Sequence, residues 1–296
     1  MKKILLTSLV AALLPVALFA QESAVLPFIR IDRDPITSAM GGAEGTSSLY
    51  NPAAVPFKGS DVMASFQMWA PGGAKSTNIN VLGGIKIGKR LGITIQAAYQ
   101  IGKAYETYDT GGKQGATFGP SDLMAGAGVG FAITDFLSVG ANFRFASSTI
   151  APSTSFNTIA GDVFVMFSKS GFNATAGVAS LGLPVKYGEA SYKIPTSAKV
   201  ALGYDLALGK SGVAFAADAD VFFTGGLGIA LGAQYDWNDM VFVRAGFHVG
   251  TKPAPLPTYA SVGLGVKFAG FHIDASWITA NKILGNTICA GIGYAF

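Results

Sequence analysis

The chain has 296 residues, 50% of them hydrophobic and only 13% charged, with 21 Lys and Arg set against 17 Asp and Glu. Soluble domains carry about a quarter charged residues, so a mean hydropathy of +0.42 argues against an ordinary water-soluble domain. Beyond the N-terminus no apolar run reaches the roughly 18 residues of a membrane helix, and the lack of any basic cluster argues against a nucleic-acid binder.

The first twenty residues, "MKKILLTSLVAALLPVALFA", have the parts of a secretory signal. Lys2 and Lys3 form the positive start, Ile4 to Phe19 the apolar stretch, and Ala20 the small residue before a cut. A membrane anchor is the competing reading. No cysteine follows the apolar stretch, which argues against a lipoprotein signal. Once Lys2 and Lys3 are set aside, 19 basic residues face 17 acidic ones, so the pI near 9.0 carries little weight.

Residues 21–60 do not alternate. Asp34-Pro35 predicts a helix start, with Asp34 as cap and Pro35 in the first turn. Gly41-Gly42 permits a tight bend, and Pro52 breaks regular structure. "RDPITSAMGGA" followed by "SLYNPAAV" supplies Arg33, Met40, Gly41, Gly42, Asn51 and Pro52. This stretch resembles the N-terminal region of the PorV/PorQ family and, more remotely, of FadL-type fatty-acid channels. The resemblance implies a fourteen-stranded barrel, a Bacteroidota-like outer membrane, and a hatch in the lumen formed by residues 21–57. It also implies a partner in a secretion or surface-assembly complex, such as type IX secretion.

From residue 61 to 296, fourteen alternating segments are predicted as strands: 61–69, 76–88, 90–101, 121–133, 136–148, 155–168, 171–180, 194–208, 211–223, 226–237, 240–250, 258–268, 270–278 and 285–296. Most are near the nine to eleven residues that cross a bilayer as tilted strands. Tight connections such as "GKR", "TD" and "AG" alternate with longer ones such as 102–120, "LGLPVKYGEASYK" and "GTKPAPLPT". Short turns at one end and long loops at the other are the habit of outer-membrane barrels. Leu123, Val129 and Phe131 fall on one predicted face, as do Leu231, Tyr235 and Trp237, and the opposite faces carry Gly, Ala, Ser and Gln. A soluble β-sandwich is the competing fold, but its outer faces should be polar.

Eight strands leave a barrel filled by side chains and sixteen leave a water channel. Fourteen lies between, so a filler is expected, and the inward glycines 126, 128, 130, 228, 232, 263 and 265 leave room for one. Alternation also turns inward Lys86, Arg144, Asp162, Lys199, Asp205, Asp218, Asp220, Asp236, Arg244, Lys267 and Asp274, with His248 and His272. Both signs occur, so these charges can pair across the lumen or with Arg30, Asp32, Arg33 and Asp34. Packing of the lumen and lining for a solute are the two readings.

His272, Asp274 and Ser276 share one strand face at spacings of roughly 7 Å, too far for a hydrolytic relay within the strand, which leaves a triad assembled across strands, for instance with His248, as the alternative. The glycine runs "GAGVGF" and "GLGIALG" sit within strands rather than opening helices, so they are not phosphate loops. No metal-ligand spacing is present, and Cys289, the single cysteine, has no partner for a disulfide.

The last strand carries Gly291, Tyr294 and Phe296 as G-x-x-aromatic-x-aromatic. This resembles the C-terminal signal that hands outer-membrane barrels to their assembly machinery. The sequence therefore predicts an all-β transmembrane antiparallel barrel of about 14 strands in the outer membrane of a Gram-negative bacterium. Its divisions are a signal at 1–20, an N-terminal hatch at 21–60 and the barrel at 61–296. No catalytic residue, cofactor or metal is expected. The expected partners are outer-membrane lipid and the barrel assembly machinery. Two functions stay open: a partner-binding accessory of a secretion or surface-protein complex, or an uptake channel for small hydrophobic molecules. Ile150, Leu183, Pro184, Val185 and Leu256 are the apolar outer-loop residues that would serve either.

Overall fold

Period-two alternation from residue 61 onward produces strands throughout the computed structural model, which describes residues 25–71, 73, 75–108, 110–187 and 189–296. The predicted signal at 1–20 lies outside these residues. The strands are β1 (Asp61–Trp69), β2 (Ser76–Ile87), β3 (Leu91–Ile101), β4 (Tyr105–Tyr108), β5 (Gln114–Phe118), β6 (Ser121–Ala132), β7 (Leu137–Ala151), β8 (Thr154–Lys169) and β9 (Phe172–Gly182). After these come β10 (Val185–Tyr187), β11 (Ala190–Tyr192), β12 (Ser197–Leu208), β13 (Ser211–Phe222), β14 (Leu227–Trp237), β15 (Val241–Gly250), β16 (Tyr259–Phe268), β17 (Phe271–Thr279) and β18 (Thr287–Ala295).

Fourteen of these close into one barrel, in the order β1-β18-β17-β16-β15-β14-β13-β12-β9-β8-β7-β6-β3-β2. Each neighbour pair is antiparallel, and β1 closes on β18 from Asp61↔Ala295 to Met68↔Ile288. All fourteen predicted strands are present. β12 starts at Ser197 rather than 194 because Pro195 has no N–H to give a ladder, and β7 runs on to Ala151, stopping before Pro152. Two of the long connections, where the sequence predicts plain loop, hold short hairpins: β4 pairs β5, and β10 pairs β11.

The wall is apolar outside and small or polar inside. Leu123, Val129, Phe131, Leu231, Tyr235 and Trp237 are exposed, whereas Met124, Asn80, Thr94, Gln67 and Ser261 are buried. In β18, Ile288, Ile292 and Tyr294 point out, while Cys289 is fully buried and Gly291 faces inward. The two faces of the last strand thus meet the apolar surroundings and the crowded lumen. A closed single sheet has no second layer to pack on, which rules out the sandwich.

Residues 25–60 pack inside the barrel against its wall, and for this position the segment is called the plug. They contain a 3-10 turn at Pro27–Arg30 and two short helices, α1 (Pro35–Ala39) and α2 (Val55–Lys58). Asp34 caps α1 as expected, its carboxylate accepting from the backbone N–H of Ile36 at 2.8 Å and of Thr37 at 2.9 Å. The plug is laid onto glycines of the wall. A Cβ on Gly130 or Gly140 would overlap Pro52 and Ala53, one on Gly232 or Gly246 would overlap Met40, and one on Gly92 would overlap Val55.

Candidate functional site: the plugged lumen

The lumen is layered from its long-loop end to its short-turn end. At the long-loop end Leu26, Phe28, Ile29 and Ile31 of the plug join Trp69, Met124, Ile194, Ile278 and Leu284 of the wall and loops in one buried apolar cluster. Val185 and Leu256 belong to it, at 4% and 9% exposure. This corrects the expectation that these two present themselves outward. Ile150 and Leu183 remain exposed.

Beneath the apolar layer lies a layer of paired charges. Lys199 of β12 approaches Glu44 of the plug at 3.2 Å, and Asp218 and Asp220 of β13 at 3.2 and 3.0 Å. Arg30 reaches Asp220 at 2.8 Å. Asp218 also accepts from the backbone N–H of Glu44 and Gly45, at 3.0 and 2.7 Å. Burial opposes ionisation of Glu44, but Lys199 and Arg30 outweigh it and hold its carboxyl below the usual range.

Next to this layer Arg144 binds Asp162 at 2.5 Å. The β8–β9 register shifts between Gly161 and Val163. In the resulting bulge Ser180, at φ 54°, donates its N–H to Asp162 at 2.7 Å. Arg33 is buried without an acidic partner in the described ion pairs. It donates to the carbonyl of Ile29 at 2.7 Å and to Gln96 at 3.2 Å. Asn51 ties the plug to itself through the carbonyl of Gly45, at 2.8 Å, and to the wall through Thr175, at 3.2 Å. Gly41 and Gly42 adopt φ of 72° and 85°, a bend that non-glycine residues resist.

At the short-turn end Arg244 binds Asp274 at 2.6 Å and Gln234 at 2.6 Å. His272 bridges Asp274 at 2.6 Å and Asp61 at 3.0 Å, crossing β18 where Gly293 leaves space for its ring. The His272–Asp274 bond corrects the expectation that this spacing is too long, because two side chains on one face lean together. Both ring nitrogens are thereby occupied by carboxylates, and Ser276 is not drawn into a relay. Lys267 is also corrected: it turns to the rim and pairs with Asp239 of the turn at 2.8 Å instead of bracing the lumen. A cavity of about 220 Å3 lies at this end, lined by Met40, Thr46, Leu49, Lys58, Asp205 and Gln234 among others.

Gly291 sits against Met63 and Pro35. Tyr294 faces out with its ring 4.7 Å from Phe271 and 5.7 Å from Phe296. Glu44 and Tyr259 were not singled out by sequence. Tyr259 had a usable signal, since alternation with Ser261 and Gly263 puts it on the inward face, but Glu44 lies in an aperiodic stretch. Among the described residues no three His, Cys, Asp or Glu side chains are grouped to hold a metal ion.

The fold, a fourteen-stranded antiparallel barrel with its N-terminal segment inside, is shared with solved FadL-type barrels. The chain is similar to the Ralstonia pickettii toluene transporter TbuX, with a TM-score of 0.61 and 12% identity over 90% of this chain and 98% of that one. It is similar to the CymD monoaromatic hydrocarbon channel, with a TM-score of 0.60 and 13% identity over 90% and 98%. It also resembles a Pseudomonas aeruginosa FadL homologue, with a TM-score of 0.54 and 10% identity over 94% and 99%. No protein-family model and no curated protein sequence matches the chain.

Proposed function

We propose that this chain is an outer-membrane channel for small hydrophobic molecules, with residues 25–60 as its plug. The observation that carries the reading is the apolar cluster across the long-loop mouth, where Phe28 and Ile29 meet Trp69 and Leu284. A pore for hydrated solutes has a polar, water-filled interior. A hydrated solute loses its water shell in a mouth of this kind, whereas an apolar one gains by leaving water. The likeness to structures described as a toluene transporter and a monoaromatic hydrocarbon channel supports the same reading. The long-loop end then faces the cell exterior and the short turns face the periplasm.

The secretion-accessory reading that the PorV/PorQ resemblance implies has weaker footing. Two of its candidate docking residues, Val185 and Leu256, are turned into the lumen. Titration of purified protein with toluene, followed through Trp69 in a variant whose Trp237 and Trp277 are replaced by Phe, tests the choice. Saturable quenching is expected. A lack of saturable binding, together with a stoichiometric protein partner on gentle purification, would favour the accessory reading.

A further inference from the structure

We propose that Asp32, buried against Tyr259 without a cation of its own, is a pH-sensitive latch between the plug and the wall, firm when it is neutral and loosened when it ionises. This rests on the reading that residues 25–60 obstruct the lumen. Asp32 is 3% exposed, and its carboxyl meets the Tyr259 hydroxyl of β16 at 3.1 Å. Tyr259 is fully buried, and the His248 ring of β15 stacks on it with centroids 5.0 Å apart. His248 Nδ1 lies 3.2 Å from the carbonyl of Gly41, so the same side-chain pair grips the plug at two points. Asp32 has no cation within ion-pair distance among the described ion pairs, unlike the paired Glu44 and Asp220 beside it.

The charged surroundings of Asp32 come from several elements. Asp34 and Glu44 of the plug repel its ionised form, and Lys199 of β12 favours it, but Lys199 is shared among Glu44, Asp218 and Asp220. Arg30 and Asp220, which pair with each other, line the same small chamber as Asp32 and His248. Tyr50 of the plug, neutral near pH 7, and Cys289 of β18 also lie near this carboxyl. Burial first, and then Glu44 and Asp34, push the Asp32 carboxyl up to about 7, outweighing the Tyr259 hydroxyl, whose donated hydrogen bond favours the ionised form. A group raised in the docked state contributes fully below the pKa it has when undocked, near 4 for a free carboxyl. That contribution is lost as pH rises through about 7. The plug is therefore held more firmly in acid and less firmly above neutrality.

The test is single-channel conductance in planar bilayers at pH 5.5 and pH 8.5, for wild type, Asp32→Asn and a protein lacking residues 25–57. Asparagine keeps an uncharged partner for Tyr259, and heat-dependent gel mobility checks that each barrel is folded. Wild type is expected to open several-fold more often at pH 8.5, Asp32→Asn to stay closed at both, and the deletion to conduct at both. Equal wild-type opening at the two pH values, or an unchanged pH response in Asp32→Asn, overturns the latch while leaving the plug reading intact. A deletion variant that conducts no more than wild type overturns both.

Discussion

Gly130 of β6 has no side chain at the place where the carbonyl of Pro52 lies against the wall, and a Cβ there would overlap that carbonyl. At this point the plug meets the barrel backbone to backbone. Gly228, also inward, has open space by comparison: its nearest neighbours are side-chain atoms at 3.5 Å and beyond. Gly130→Ala should therefore loosen the plug, by the roughly 1–3 kcal/mol typical of overpacking, whereas Gly228→Ala should be tolerated. Limited proteolysis of residues 25–60 in the two folded variants checks this. Equal protection in both would argue against the close fit.

Lys199 is 2% exposed and serves three carboxylates, so Lys199→Met should leave Glu44, Asp218 and Asp220 without their shared cation. Breaking a buried pair costs about 3–5 kcal/mol. Lys267→Met breaks only the rim pair with Asp239, whose acid is 66% exposed, and exposed pairs contribute about 0–1 kcal/mol. Urea unfolding in detergent should place Lys199→Met well below Lys267→Met. Matching midpoints would show that the charge layer does not hold the plug.

The barrel was legible because alternation is enforced on every strand by two unlike surroundings, apolar outside and crowded inside. The Leu123–Phe131 face of β6 and the Gly291 face of β18 were readable from spacing alone. Asp34 as the cap of α1 was readable because capping is local. Lys267 was misplaced because alternation gives a face but not a depth, and the rim of a strand is no longer lumen. Val185 and Leu256 were misplaced because a loop has no period to tell inside from outside. The His272–Asp274 bond was missed because ideal strand spacing ignores the lean of long side chains.

Topology has a direct check. Cysteine in place of Gly112, between β4 and β5, should react with a membrane-impermeant thiol reagent on whole cells. Cysteine in place of Asn238, in the turn between β14 and β15, should not. Equal labelling of both on intact cells would reverse the assignment of the two ends.

Deleting Phe296, or replacing Tyr294 with Asp, should lower the amount of inserted barrel. Tyr294 faces out against Phe271 and Phe296 near the short-turn end. A charge near the interface costs only about 0–1 kcal/mol, so lost recognition by the assembly machinery should dominate over burial. Wild-type levels of heat-modifiable barrel in both variants would count against an assembly role for this terminus.

The most direct measurement is the initial rate of radiolabelled toluene uptake by whole cells that produce this barrel, compared with cells that lack it. The rate should rise with the amount of barrel, saturate with toluene concentration, and fall when Phe28 of the apolar mouth is replaced by Lys in a barrel that still inserts. An uptake rate no different from that of cells lacking the barrel would contradict a channel for small hydrophobic molecules.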